Sequence, residues 1–138
     1  MRKIVASGIA VIAAVMLPST PAAAEGDFGG GGCRGYWHPL EEVNGTLEWG
    51  VESHCVGTGW MPHILEVELQ KGHHALFFST VLTEKSPGYT QGSPDISLHY
   101  PTSCTDATEA TYRMKVYVTA GSHTGNWLSP EYTVPCDV

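Results

Sequence analysis

Apolar and polar side chains alternate along several stretches of this chain with a period of two, the pattern of a strand with one buried face. In Thr46 to Cys55, TLEWGVESHC, the residues Leu47, Trp49, Val51, Ser53 and Cys55 share one face, and Glu48, Gly50, Glu52 and His54 share the other. In HILEVELQ, Leu65, Val67 and Leu69 point inward while Glu66, Glu68 and Gln70 meet water. KGHH, Lys71 to His74, then supplies a turn, and ALFFSTVL, Ala75 to Leu82, returns as a more fully apolar strand, completing a hairpin. TYRMKVYVTAG, Thr111 to Gly121, alternates again, with Tyr112, Met114, Val116 and Val118 inward and Arg113 and Lys115 outward.

Glycine, proline and small polar residues punctuate these runs. SPGYTQGSPD, Ser86 to Asp95, reads as a loop; ISLHY, Ile96 to Tyr100, is a short strand stopped by Pro101; and GSHTGN, Gly121 to Asn126, turns into a last strand, Trp127 to Cys136. No segment after the N-terminal stretch sustains a period of 3.6. The expectation is an all-β domain of about seven short strands, packed as two antiparallel sheets.

The N-terminus changes the picture of where the chain works. Arg2 and Lys3 precede an apolar run from Ile4 to Leu17, then Pro18 and Pro21, then Ala22-Ala23-Ala24. The run is too short for a membrane span, which needs about 20 apolar residues, and it ends at a small-residue site. Residues 1–24 are therefore expected to be a cleaved signal peptide and the protein to be secreted. EGDFGGGG, Glu25 to Gly32, reads as a flexible leader, since it has little to bury and much backbone freedom. Residues 33–138 form the domain.

Charge excludes some partners. Beyond residue 24 there remain five bases, Arg34, Lys71, Lys85, Arg113 and Lys115, against the 14 acids of the chain, a formal balance of 5 − 14 = −9. Nucleic acids and anionic membrane surfaces select for the opposite sign. The four cysteines, Cys33, Cys55, Cys104 and Cys136, lie 22, 49 and 32 residues apart. Those spacings do not suit a zinc finger, and an even count in an exported chain implies two disulfides. Of three possible connectivities, Cys33 with Cys55 and Cys104 with Cys136 is preferred because each pair brackets consecutive strands.

Ala110-Thr111-Tyr112-Arg113-Met114 resembles the A-x-Y-x-C signature of strand F in immunoglobulin-like sandwiches, with Tyr112 at the tyrosine-corner position and Met114 where the inter-sheet cysteine would stand. No Trp occupies HILEVELQ as in antibody domains. By strand pattern, length and cysteine placement the domain is closer to fibronectin type III domains and to small secreted immunoglobulin-like proteins of actinobacteria. The resemblance implies an immunoglobulin-like antiparallel β-sandwich and is silent on activity.

Candidate chemistry is sparse. Neither a nucleophile elbow nor an S-x-x-K pattern occurs, and Glu66 with Glu68 reads as a solubilising face, so no enzyme and no cofactor are expected. Seven histidines, His38, His54, His63, His73, His74, His99 and His123, read as solvated surface groups; His54, His73 and His74 are the weak metal candidates. Aromatic residues in segments rich in Gly and Pro, Tyr36, Trp37, Trp60 and Tyr89, suit binding of a sugar or a protein. The expected function is that of a secreted, non-enzymatic binding module for an extracellular protein or carbohydrate. The alternatives are an inhibitor that inserts the loop Ser86 to Asp95 into a hydrolase cleft, and a small metal-binding protein.

Overall fold

The structure is a computed structural model that describes residues 26–74, 77–86 and 92–138. The expected signal peptide lies outside the described residues. Among the described residues there are ten strands: β1 (Phe28–Gly30), β2 (Cys33–Trp37), β3 (Glu41–Val43), β4 (Thr46–Cys55), β5 (His63–His73), β6 (Phe77–Lys85), β7 (Asp95–Ser103), β8 (Asp106–Ala120), β9 (His123–Leu128) and β10 (Tyr132–Asp137). They form two five-stranded sheets in which every pairing is antiparallel. No described helix is long and apolar enough to cross a membrane.

In the first sheet β4 is central. Along one edge it pairs with β3 and then β2, to which β1 is added, and along the other with β7 from Thr46↔Ser103 to His54↔Asp95. Asn44 and Gly45, both at positive φ, close the β3–β4 hairpin, the residue pair such a tight turn favours. In the second sheet β5 lies between β6 and the long β8, whose far edge is shared by β10 and β9.

Alternation places the core between the two sheets. Leu47, Trp49 and Val51 from the first sheet and Leu65, Val67, Leu69, Met114 and Val116 from the second are all fully buried in one cluster. Each such aliphatic side chain contributes about 1.5–3 kcal/mol by leaving water. Trp49 packs against Tyr100 with ring centroids 5.1 Å apart, and its indole N–H donates to Thr102 Oγ1 at 2.9 Å, so its one polar atom is satisfied. Two disulfides staple the fold, Cys33–Cys55 within the first sheet and Cys104–Cys136 near the C-terminus, the pairing expected from the strand brackets.

Tyr112, wholly buried, donates its hydroxyl to Cys136 O at 2.7 Å and accepts from Val138 N at 3.0 Å. It ties down the C-terminus, whereas a tyrosine corner bonds backbone a few residues upstream. Burial pushes its phenol above the ordinary tyrosine value. Lys71 bonds the neighbouring Asp137 carboxylate, which raises the ammonium above the ordinary lysine value.

Several expectations need correction. Ten strands stand where about seven were expected, because long strands are accompanied by short ones. The segment read as a flexible leader contains β1: Phe28 is 4% exposed and its ring lies where a Cβ at Gly35 would be, so the glycine of one strand receives the side chain of the next. β5 continues through Lys71 to His73, where the sequence predicts a turn, and β7 passes Pro101 instead of stopping there. Pro101 follows this course because β7 is an edge strand, where a missing N–H costs no ladder bond. The single last strand is two, β9 and β10, separated at Ser129 and Pro130. β6, the strand expected to be more fully apolar, is an exposed edge: Phe77 is 71% exposed, and Ser79 faces solvent. Ala75 and Leu76 of the expected apolar strand lie outside the described residues.

Candidate functional site

The outer face of the first sheet gathers polar residues that its strands place in register. Gly50 is the floor. Its φ of +151° and the approach of β7 leave no space for a side chain, since a Cβ there would overlap Leu98 O. His99 is the residue paired with Gly50 on β7, and His38 donates its backbone N–H to Gly50 O at 3.0 Å from the opposite side. The two imidazoles flank the bare glycine, their centroids 5.6 Å apart. His99 Nε2 reaches Glu48 Oε2 at 2.6 Å.

His38 Nε2 and Glu48 Oε2 are the two buried side-chain polar atoms that lack a hydrogen-bond partner among the described residues. His99 Nε2 and Glu48 Oε2 meet in a close contact without the alignment of a hydrogen bond. Buried polar atoms are overwhelmingly partnered in folded proteins. Two such atoms beside one histidine single out this part of the sheet face as the place where the described residues leave polar groups incompletely partnered.

Next along the same face is a groove of about 290 Å³ lined by Tyr36, Glu52, Ser53, His54, Asp95 and Ser97 among others. Tyr36, Glu52 and Ser97 lie side by side across β2, β4 and β7, and two steps further along stand Arg34, His54 and Asp95. His54 Nδ1 contacts Asp95 Oδ1 in a solvent-exposed pair. Among the described residues no hydroxyl or thiol bonds His54, so the pair is not completed into a nucleophile and base.

The other expected site residues are scattered. Trp37 packs on Phe28 with centroids 4.9 Å apart, and Trp60 donates its indole N–H to Gly57 O at 3.0 Å while its ring edge meets His63. Both rest against the core. Tyr89 lies outside the described residues, as does half of the expected inhibitory loop; at its base Ser86 is buried and bonded to Leu65 through backbone and hydroxyl. His73 Nε2 bonds Ser79 Oγ at 2.7 Å, and His74, at positive φ, lines a cleft of about 470 Å³ with Phe78, Thr111 and Glu131. Thus His54, His73 and His74 do not converge.

His63 is not a surface histidine. It is wholly buried, bonded through Nε2 to Ser53 Oγ at 3.0 Å and through Nδ1 to Ser93 O at 2.6 Å. One donor atom each from His63, Cys33 and Cys55 lies within 4.8 Å of the others. The closed disulfide withholds both sulfurs from any metal, which requires thiolate.

Fold and site together define an all-β, two-sheet protein stapled by two disulfides, with a polar and acidic sheet face. Compared with known proteins, the chain matches no family model, no curated protein and no solved structure. The site residues that sequence reasoning misses, His38, Glu48 and His99, sit on three separate segments with no spacing that joins them; Gly50 inside an otherwise alternating strand is the available signal.

Proposed function

We propose that the chain is a secreted, immunoglobulin-like sandwich module that acts without catalysis and binds an extracellular carbohydrate through the outer face of its first sheet. Secretion is supported by the N-terminal sequence and by two disulfides, which persist in oxidising compartments. The observation that carries the binding reading is the pair of orphaned buried atoms, His38 Nε2 and Glu48 Oε2, beside the Tyr36 groove. Tyr36 offers an aromatic ring to the apolar side of a sugar, and Glu52, Asp95 and Ser97 offer acceptors to its hydroxyls.

The test is amide NMR of the disulfide-intact protein titrated with neutral gluco- and chito-oligosaccharides. Shifts centred on Tyr36, Glu52 and Ser97 and lost in Tyr36→Ala are expected; the absence of saturable shifts on this face across the panel overturns the carbohydrate reading.

A further inference from the structure

The two disulfides differ in their surroundings. A carbonyl only accepts hydrogen bonds, so the contact of His63 Nδ1 with Ser93 O puts the proton on Nδ1. Nε2 then accepts from the Ser53 hydroxyl, which fixes the tautomer. The same Nδ1 stands 3.4 Å from Cys55 Sγ, so its one proton lies between Ser93 O and the sulfur. In the closed bridge that sulfur is a weak acceptor, but as a thiolate it would draw the shared proton more strongly. Cys33, directly opposite Cys55 on the neighbouring strand, is among the residues lining a cavity of about 430 Å³ with Gly29, Gly30, Val56 and Trp127. One half of the bridge therefore borders a cavity and the other borders a buried hydrogen-bond donor.

We propose that Cys33–Cys55 is a thiol–disulfide exchange site whose substrate is a low-molecular-weight thiol. The incoming thiolate attacks Cys33 Sγ and forms a mixed disulfide; the Cys33–Cys55 bond breaks, and Cys55 Sγ leaves with the electron pair into the hydrogen bond from His63 Nδ1–H. A second thiolate attacks the sulfur of the bound thiol and releases Cys33 as thiolate. In total two thiols become one small disulfide, and the protein bridge takes up two electrons and two protons. His63 is a positioning residue for the leaving sulfur, since a stabilised leaving thiolate departs faster.

Cys104–Cys136 is the internal control. Cys104 is more exposed than either Cys33 or Cys55, and no described imidazole bonds its bridge, so exposure alone makes it the first to open. The exchange site reverses that order. The native protein is incubated with reduced glutathione without denaturant, quenched by alkylation and mapped without reduction. Cys33–Cys55 is expected to open about tenfold faster than Cys104–Cys136, with the transient glutathione adduct on Cys33. His63→Phe is expected to slow only the first bridge, also by roughly tenfold. Opening of Cys104–Cys136 first, equal rates, or an adduct on Cys55 would overturn the proposal. Adduct position and order of opening are read on the unmodified protein, so they decide the matter even where His63→Phe does not fold.

Discussion

On the second sheet the basic side chains find partners within the protein. Lys85 pairs with Glu66 at 3.4 Å, Arg113 donates to Gln70 Oε1 at 2.8 Å while its guanidinium lies 3.9 Å over the Phe78 ring, and Lys115 stands 5.0 Å from the Tyr117 ring. The first sheet carries one base, Arg34, against Glu41, Glu42, Glu48, Glu52 and Asp95, with Glu41 directly opposite Glu48. Two of its carboxylates, Asp95 and Glu48, meet a histidine, and Glu48 is left incompletely satisfied. Four of the five bases beyond residue 24 lie on the second sheet, so the first is the face on which an external cation or hydrogen-bond donor has groups to meet.

The largest expected effect comes from filling the floor of that face. Gly50→Ala places a Cβ against Leu98 O at a backbone angle that L residues rarely adopt, forcing β4 and β7 apart. A loss of about 3 kcal/mol or more is expected in urea unfolding. If Gly50→Ala instead costs less than about 1 kcal/mol, β7 is not held against β4 as described and the histidine pair loses its base.

Next in size is the anchor that closes the second sheet. Tyr112→Phe removes the bond to Cys136 O and the acceptor for Val138 N, and is expected to cost about 1–2 kcal/mol by urea unfolding. The folded-state values of Tyr112 and Lys71 are both raised. Their contributions are therefore complete below the unfolded values of about 10 and 10.4 and decline as pH rises through the folded values. The urea midpoint of the wild type should fall above about pH 10, with part of that fall absent in Tyr112→Phe and another part in Lys71→Met. An identical alkaline decline in all three proteins would remove both groups as its origin.

What is legible in the sequence is whatever one strand decides alone. Leu47, Trp49, Val51, Leu65, Val67, Leu69, Tyr112 and Met114 are buried as alternation requires. The apolar run of β6 carries no alternation, so nothing in it distinguishes an edge from a core strand; its neighbours decide that. The Asn44-Gly45 pair is a turn signal in the sequence, yet its hairpin enters the picture only with the structure. His63 shares the parity of Leu65 and Val67, which places it inward, although its membership among seven histidines suggests surface. The site is less legible because His38, Glu48 and His99 meet only through the pairing of β4 with its neighbours, and Phe28 joins the fold only because Gly35 leaves room for its ring.

A smaller effect tests whether the second sheet is as self-satisfied as its contacts imply. Arg113→Ala loses the Gln70 hydrogen bond and the contact with Phe78, and should cost about 1 kcal/mol in thermal or urea unfolding. Arg113→Lys should recover only part of that, because an ammonium lacks the planar guanidinium that stacks on the ring. Full recovery by lysine would reduce the contact to simple charge.

The smallest effect is the sharpest test of the contrast between the faces. Glu48 is the acid on the first sheet whose Oε2 is buried without a hydrogen bond, and it also faces Glu41 across the strands. Removing a charge normally weakens a sheet when that charge has partners, as on the opposite face. Here Glu48→Gln removes repulsion from Glu41 and the desolvation of a charged oxygen, and surrenders only the unaligned contact of Oε2 with His99. The net change in stability should lie within about 0.5 kcal/mol of zero and tend toward stabilisation. A loss above about 1 kcal/mol would show that His99 fully satisfies the carboxylate, in which case the first sheet is as closed as the second and its orphaned oxygen no longer argues for a ligand.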